Sequence, residues 1–457
     1  MSNINQLSGA IKFALFVGAT ASLASVSAFA QDEAKEITAV EVTGSRIKRV
    51  DAETSQPIQV ITREEIQKTG LTNVYDILNT ITASDGSGLS TVTTQTNGSD
   101  GGQTISLRGL GPQRTLVLVD GKRWVAEDGI VDFTTIPVAI IERIDVLKDG
   151  ASAIYGSDAI AGVINVITRK NFDGAQVGLS YGQYTPGDGA QKSIDVTIGA
   201  TGERSNVVFG ANFTEYEPVF AGDRDVSRFQ RLGCTDPSAS SQCGSFFSEF
   251  GVFFVPSLGD YRVWNRNTPS TGPTDDPTQY VPFTNAARYN FAPVNYLKQP
   301  SKISNLYMAG RFDVTDNISA YARASYTKRT SQQQLAPVPL SISNYGSFGP
   351  QWTFPISGSS VFNPFNEDIN FAGYRMSGAG PRRILSDHDA LGLQLGLEGS
   401  FTLGDRNFSW DVMGQRNDYQ QDNRGENYIN LFNLRNAVGQ SGYNVATSEF
   451  YCGASYA

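Results

Sequence analysis

A long series of segments with alternating apolar and polar residues, from Asp173 to about residue 420, constrains the fold most strongly. A period of two indicates β-strands with one apolar face. The apolar positions in the seven segments are Val177, Leu179 and Tyr181; Ile194, Val196 and Ile198; Val207, Phe209, Ala211 and Phe213; Leu306, Met308 and Phe312; Ile318, Ala320, Ala322, Ala324 and Tyr326; Leu391, Leu393, Leu395, Leu397 and Phe401; and Phe408, Trp410 and Val412.

The lengths of these strands and of their connections distinguish two kinds of β-protein. A secreted soluble sandwich would show the same alternation, but its strands average about five or six residues, whereas these run to about ten or more. Tight turns are predicted at 202–204, 315–317 and 404–406, and long loops at 217–302 and 331–388. This alternation of short and long connections is typical of an outer-membrane β-barrel with its apolar face toward lipid.

The first thirty residues have the composition of an export signal. Lys12 precedes a short apolar run at 13–17, and Ala28-Phe29-Ala30 forms a small-residue cleavage site. The alternative, a buried helix of the mature protein, is less favoured because the run is short and ends on that site. We expect cleavage near Ala30 and a mature chain outside the cytoplasm. In that compartment Cys234 and Cys243 are predicted to form a disulfide, while Cys452 has no evident mate.

Residues 31–50 are predicted to be a flexible arm, and residues 51–172 a small α+β domain. Thr62 and Glu65 form a capping box for a helix over 63–69 that Gly70 ends, and Thr72 can cap a second helix. A short helix is expected after Pro137. Strands are predicted in the segments "QPIQVIT", "TISL", "TLVLVDG", "RIDVLKD" and "GVINVITRK".

The segment "LRGLGPQRTLVLVDGKR" raises the question of a phosphate-binding loop. Such a loop follows a strand and opens a helix, so that its backbone N–H groups face the phosphates. Here "RGLGPQR" precedes the strand, and Pro112 removes one of the donors. We therefore interpret the glycines as permitting a tight turn beside another wall of protein.

Three separated motifs resemble TonB-dependent outer-membrane receptors. "TISLRGLGPQRTLVLVDGKR" and "IERIDVLKDGASAIYGSDAIAGVINVITRK" are similar to the plug domain, and "EITAVEVTGSRIKR" is similar to the TonB box and its continuation. The resemblance implies a plug inside a 22-stranded barrel, a ligand bound outside, and the TonB protein pulling on the box. An extended segment can add as a strand to a partner's sheet, although a mere tethered N-terminus remains the alternative. The expected TonB-box residues are Ile37, Thr38, Ala39, Val40, Glu41, Val42 and Thr43.

The plug motifs supply the residues that we expect to gate the plug or pack it. They are Arg108, Gly109, Gly111, Arg114, Asp120, Gly121, Glu142, Arg143, Asp149, Gly150, Tyr155 and Gly156. The charged residues expected to face a polar barrel wall are Arg108, Arg114, Lys122, Glu142, Arg143 and Asp158; the alternative is that they are ordinary solvated surface charges. Only residues 31–35 precede the box, so no signalling domain is expected there.

The strand count departs from the family. An open sheet in lipid would leave backbone groups unsatisfied, so seven strands of an expected 22 cannot close a barrel. The ending "EFYCGASYA" also does not look like a last barrel strand. We therefore expect residues 173–457 to be the N-terminal portion of the barrel, and the chain to be a receptor fragment that is not functional alone.

The expected function is energy-coupled uptake of an iron–siderophore or other iron complex, an oligosaccharide or a peptide. Aromatic residues in the loop 217–302 could stack on such a ligand or pack the loop on itself. The single histidine, His388, disfavours haem, and no catalytic constellation, metal site or cofactor site is evident. With 36 Lys+Arg against 45 Asp+Glu, nucleic-acid binding is not expected. The alternative function is a secreted or surface β-rich binding or adhesion protein.

Overall fold

The computed structural model describes residues 58–84, 90, 92, 100–230, 244–265, 276–343, 355–360, 363–430, 433–434, 442–444 and 449–451. The predicted signal peptide, the predicted TonB box and the three cysteines, Cys234, Cys243 and Cys452, lie outside these residues. No helix among the described residues is long and apolar enough to cross a membrane.

The N-terminal domain, residues 58–168, is built on a mixed five-stranded sheet. Its strands are β1 (Ile58–Thr62), β2 (Thr115–Val119), β3 (Lys122–Arg123), β4 (Ile141–Leu147) and β5 (Gly162–Thr168). Their order is β1-β4-β5-β2-β3, with β2 and β5 parallel and the other pairs antiparallel. The helices are α1 (Arg63–Thr69), α2 (Val74–Asn79) and α3 (Ser152–Tyr155).

Local signals predicted the start of this domain well. The capping box of Thr62 and Glu65 is present, and Gly70 ends α1 in the left-handed region at φ 66°. The cap of α2 was wrong by one residue: Asn73, not Thr72, accepts a hydrogen bond from Asp76 N at 2.7 Å. Asn73 is the cap because its side-chain amide oxygen reaches the backbone N–H of Asp76, the third residue of the helix.

Two further elements differ from the predictions. The segment 104–107 is not a strand, and of its residues only Leu107 makes an isolated bridge, with Ser84. The helix expected after Pro137 is a single 3₁₀ turn, Val138–Ile140, because β4 begins at Ile141 and its backbone groups pair with neighbouring strands.

The seven predicted long strands are confirmed and form one antiparallel sheet, here called the wall. They are β6 (Gly174–Gly182), β7 (Gln191–Thr201), β8 (Ser205–Tyr216), β14 (Ser301–Thr315), β15 (Ile318–Leu335), β18 (Arg382–Leu403) and β19 (Arg406–Glu426). They follow one another in that order across the sheet. The three predicted tight turns join β7 to β8, β14 to β15, and β18 to β19.

The two predicted long loops contain strands of their own. β9 (Val219–Phe220) pairs with β13 (Tyr296–Lys298). A five-stranded cap sheet, in the order β12-β11-β10-β17-β16, draws on both loops. Its strands are β10 (Val252–Val255), β11 (Asp260–Trp264), β12 (Tyr280–Pro282), β16 (Pro339–Ser343) and β17 (Phe371–Arg375); β20 (Gly442–Asn444) and β21 (Glu449–Tyr451) form a separate hairpin.

The bounds of the second predicted loop, 331–388, were too wide. β15 continues to Leu335 and β18 begins at Arg382, so that Ser331 pairs with Ser386 within the wall. His388 therefore lies inside β18 and not at the end of a loop. Polar residues at these strand ends gave no apolar alternation to mark them.

The main apolar core lies between the N-terminal sheet and its helices. It includes Ile77, Leu78, Ile144 and Ile164, each with at most 1% of its surface exposed. A second, smaller cluster on the other side of the sheet packs against Tyr155 of α3. Two wall residues, Tyr307 and Ala390, join the main core. The N-terminal domain is thus packed against the wall.

Candidate functional site

The two faces of the wall differ in chemistry. On the outer face, Leu179, Leu395 and Val412 are 78%, 67% and 67% exposed. On the opposite face, Thr197 and Thr327 are buried against the N-terminal domain, and each lies close to one of its backbone carbonyls. The sheet therefore turns an apolar surface away from the domain and a polar surface toward it.

The apolar band on the outer face crosses the strands obliquely. Its midpoint on β6, within 175–181, is near Gly178, which the strand register aligns with Tyr419 of β19. On β19, however, the band spans 408–412 and centres on Trp410, nine positions from Tyr419 over six strand-to-strand steps. At about 3.3 Å per residue and about 4.8 Å between strands, this slope tilts the strands by about 45° to the band normal. Membrane barrels have tilts of about 35–45°.

The motif "VDGKR" forms a tight hairpin that docks on the inner face of the wall. Asp120 and Gly121 join β2 to β3 with φ angles of 50° and 74°. The Asp120 carboxylate accepts hydrogen bonds from Thr168 N at 2.9 Å and Thr168 Oγ1 at 2.7 Å, and pairs with Arg323 of β15. Arg323 also donates to the Val119 carbonyl at 3.0 Å. The hairpin is thus held by both its own domain and the wall.

A second ion pair follows directly in the same hairpin. Lys122 Nζ lies 2.6 Å from Asp411 Oδ2 of β19, and the Tyr321 hydroxyl of β15 donates to the same carboxylate at 3.1 Å. Asp411 is 31% exposed and Lys122 25% exposed. Lys122 was predicted to pair with a polar wall, and its partner there is Asp411.

The most deeply buried charges surround Arg329 of β15, whose side chain is 1% exposed. Its Nη1 donates to the Asp100 carbonyl at 2.8 Å, and its Nη2 lies 3.1 Å from Asp132 Oδ2. His388 Nε2 lies 3.3 Å from Asp100 Oδ2, and His388 Nδ1 lies 2.8 Å from the Tyr419 hydroxyl. Arg329 of β15 and His388 of β18 therefore converge on Asp100 and Asp132 of the N-terminal domain.

The ionisation of Asp100 follows from these contacts. Burial alone would raise its pKa, but the hydrogen bond with His388, the charge of Arg329 and the Gly102 backbone N–H outweigh burial and hold the pKa of Asp100 well below its usual range. Asp100 is therefore a carboxylate throughout the physiological range.

The comparison with protein families identifies the N-terminal domain. Residues 50–163 match the family model described as the TonB-dependent receptor plug domain. The chain carries a TonB-dependent receptor plug. The N-terminal domain is called the plug from here on.

The chain is also similar to solved siderophore receptors. It is 14% identical to the siderophore receptor PirA from Acinetobacter baumannii, with a TM-score of 0.39, over 79% of this chain and 44% of that one. For the ferric preacinetobactin receptor BauA from the same organism the values are 14%, 0.42, 82% and 48%. For a ferric enterobactin receptor mutant from Pseudomonas aeruginosa, PfeA, they are 18%, 0.35, 80% and 50%. The chain spans about half the length of these structures.

Several of the predicted plug charges have partners inside the plug. Arg108 donates to the carbonyls of Ile160 and Ala161, and Arg114 to that of Leu110. Arg143 binds Asp145 on its own strand at 3.1 Å. Asp158 binds Arg123 at 2.6 Å, and Glu142 is exposed. The sequence identified charged positions but not the direction in which each side chain points.

The remaining predicted plug residues shape turns. Gly109 and Gly111 have φ angles of 72° and 90°, and a single 3₁₀ turn follows them, as expected of a tight turn. The Asp149 carboxylate accepts from Gly150 N at 2.7 Å, and Gly156, at φ 90°, ends α3 directly after Tyr155.

The plug–wall interface also contains apolar contacts. Ile140 of the plug packs on Gly210 of β8 so closely that a Cβ there would lie 2.4 Å from Ile140 Cγ2. The rings of Trp124 and Tyr307 are 6.5 Å apart. These contacts arise because the plug is too small to enclose all its apolar side chains between its own layers.

The aromatic residues of the predicted loop 217–302 favour the packing interpretation. The Phe246 ring lies between 4.7 and 6.4 Å from the rings of Phe247, Tyr261, Phe283 and Phe371. Phe371 belongs to the second loop, so the cluster joins the two loops on one side of the cap sheet. No group of three or more potential metal ligands occurs within the described ranges.

Sequence reasoning missed the plug–wall pairs centred on Arg323, Arg329 and His388. A signal was present, because Arg323 and Arg329 occupy the polar, inward positions of β15, which alternate with Ala320, Ala322 and Ala324. The acidic partners of Arg329 on the plug, Asp100 and Asp132, lie in irregular segments and could not be paired with it from spacing.

Proposed function

We propose that the chain is the plug and first wall strands of a TonB-dependent outer-membrane transporter for energy-coupled nutrient uptake. The observation that carries the proposal is the plug itself, seated by buried ion pairs on a wall of long antiparallel strands. The oblique apolar band on the outside of the wall supports its placement in a membrane. The nutrient is an iron–siderophore or other iron complex, an oligosaccharide or a peptide, and the protein is a transporter rather than an enzyme.

The proposed organisation has four parts. Residues 1–30 are an export signal cleaved near Ala30, and residues 31–50 are an arm that presents the TonB box, 37–43, in the periplasm. Residues 51–172 are the plug, and residues 173–457 belong to the barrel, with the cap sheet outside the cell. Cys234 and Cys243 form a disulfide in the outer part.

The contacts at the interface suit a plug that is seated firmly and can still leave. Asp120 keeps its two hydrogen bonds from Thr168 when Arg323 withdraws. Asp132 likewise accepts hydrogen bonds from two backbone N–H groups of the plug, at Gln103 and Thr134. Because buried carboxylates need partners, these local donors lower the cost of separating the plug from the wall.

The test is uptake by the complete receptor that carries this sequence. Deleting residues 36–43 removes the proposed box, and deleting residues 44–51 is a control of equal length that leaves the box intact. We expect the first deletion to abolish energy-dependent accumulation of the radiolabelled nutrient and the binding of TonB's periplasmic domain, while the control retains both. Unchanged uptake without residues 36–43 would refute the box, and recovery of the receptor in the secreted fraction would favour an adhesion protein.

A further inference from the structure

Three arginines form a column on the inner side of the wall. Arg323 and Arg329 are six residues apart on β15, and Arg382 of β18 is paired in register with Leu335, six residues further along. Residues an even number apart share a face of a strand, and six residues span about 20 Å. Arg323, Arg329 and Arg382, here called the arginine column, are therefore spaced evenly along the strands, on the face of the wall that is turned toward the plug.

With the plug seated on the wall, carboxylates of the plug neutralise two members of the column, Arg323 and Arg329. Asp120 pairs with Arg323, and Asp132 and Asp100 approach Arg329 to 3.1 Å and 4.0 Å. All three carboxylates belong to the plug. The third member, Arg382, is half-buried and donates to the Ala336 carbonyl at 2.8 Å; no carboxylate lies within ion-pair distance of it in the described part of the chain.

The wall offers these arginines no acidic partners of its own. On the inward positions of β14, β15, β18 and β19, the acidic residues Asp313, Glu398 and Asp411 all lie on the side of Arg323 away from Arg329. There they bond to Arg311 or Tyr321. From Arg323 to Arg382 the inward residues of these described strands are cationic or uncharged. An inward acidic residue, Asp195, occurs on β7, which is three strand positions away from β15 in the sheet.

Movement of the plug therefore changes the charge of this surface. When the plug separates from the wall, Asp120 and Asp132 keep the hydrogen bonds that plug residues donate to them. Arg323 and Arg329 stay on the wall without the carboxylates that paired with them. Arg329 Nε is already buried and makes no hydrogen bond to any described residue, so its guanidinium has donor capacity to spare. His388 lies beside it, 3.3 Å from the Asp100 carboxylate that departs.

We infer that the arginine column is a path for an anionic ligand, uncovered when the plug moves. The inference rests on the proposed function and narrows its ligand class. Guanidinium groups bind carboxylate, phosphate and phenolate oxygens by paired, charge-assisted hydrogen bonds, so the ligand's anionic groups replace the plug carboxylates at Arg323 and Arg329 and bind Arg382 directly. An anionic iron chelate gains from this exchange, whereas a neutral oligosaccharide does not.

The test measures the ion selectivity of the complete receptor reconstituted in planar bilayers, with the plug loosened by urea. In a KCl gradient we expect the opened receptor to favour chloride. Arg323→Gln with Arg329→Gln is expected to lower the chloride-to-potassium permeability ratio by roughly threefold or more, since focused charge raises the local concentration of counter-ions. Arg323→Lys with Arg329→Lys keeps the charge and should keep the selectivity.

The control is Arg311→Gln, because Arg311 is paired with Glu398 and Asp313 of the wall itself. Its effect on the ratio should be small. A second measurement uses wild-type protein alone: inorganic pyrophosphate should block the opened receptor and spermine should not. Cation-selective or unselective wild-type openings, equal block by the two ions, or a glutamine variant as anion-selective as wild type would overturn the inference. None of these readouts depends on TonB, so failure here is distinct from failure of the transporter proposal.

Discussion

Replacing Arg329 by glutamine should release the plug from the wall far more often than in the wild type. The side chain is 1% exposed and contacts the Asp100 carbonyl and the Asp132 carboxylate. Removing one partner of a buried ion pair costs about 3–5 kcal/mol. We expect the lower end, about 3 kcal/mol, because Asp132 keeps its N–H donors at Gln103 and Thr134. That corresponds to roughly a 100-fold larger population of released plug.

The assay uses a thiol placed in the interface. Thr134 is 4% exposed, and its Oγ1 makes no hydrogen bond within the described part of the chain, so Thr134→Cys removes no side-chain hydrogen bond there. Labelling by a membrane-impermeant maleimide, followed at this peptide by mass spectrometry so that native cysteines do not count, reports the exposed population. The labelling rate should rise roughly 100-fold with Arg329→Gln in the complete receptor.

Two comparisons make the result specific. Arg311→Gln removes an arginine from the same face of the wall, but one whose partners are on the wall, and should change the rate little. Asp132→Asn combined with Arg329→Gln should cost less than the sum of the two single changes, because both remove the same pair. An increase below about threefold for Arg329→Gln, or an equal increase for Arg311→Gln, would refute the assignment of Arg329 as the residue that seats the plug.

Two other predictions concern close packing. Gly101→Ala should speed the same labelling more than Gly129→Ala does. Both glycines have positive φ, 89° and 81°, so backbone strain of about 1 kcal/mol or more is common to both variants. Only at Gly101 would a Cβ meet Ser331 and Arg329, at 2.6 and 2.7 Å. Equal rates would show that this contact does not matter. Phe246→Ala should destabilise the cap sheet by about 3 kcal/mol and accelerate its cleavage in limited proteolysis, whereas Tyr374→Ala, 39% exposed, should not; intact resistance of the first variant would contradict a packing role for the ring cluster.

The strands and turns of the wall could be predicted from sequence because their signals are local. In each strand, the alternation of apolar and polar residues indicates its two faces, and the turn at 404–405 separates two such alternating segments. The cap sheet could not be predicted in this way. β10 pairs with β17, more than a hundred residues later, and such non-local pairing leaves no mark in either segment.

The candidate site shows the same division. Asp120 and Gly121 were predicted inside the strand "TLVLVDG", but they form the turn between β2 and β3, with positive φ at both residues. Lys122 was expected to face the wall and does so. Arg108 was also expected to face it, yet it binds backbone carbonyls of the plug. Alternation fixes the direction of a side chain in a long strand, but in an irregular segment the direction depends on packing, which is not local.

The chemistry of the interface explains how a plug can be held in one position without being held permanently. Apolar contacts such as Ile140 on Gly210 favour proximity but tolerate small shifts. Buried charges add little net stability, because desolvation offsets their attraction, but a misplaced charge is costly. Arg323 and Arg329, about 20 Å apart, must both meet plug carboxylates, so only one seating of the plug satisfies them together. Since the carboxylates have donors of their own in the plug, the position is specific while the free-energy cost of separating plug and wall stays moderate.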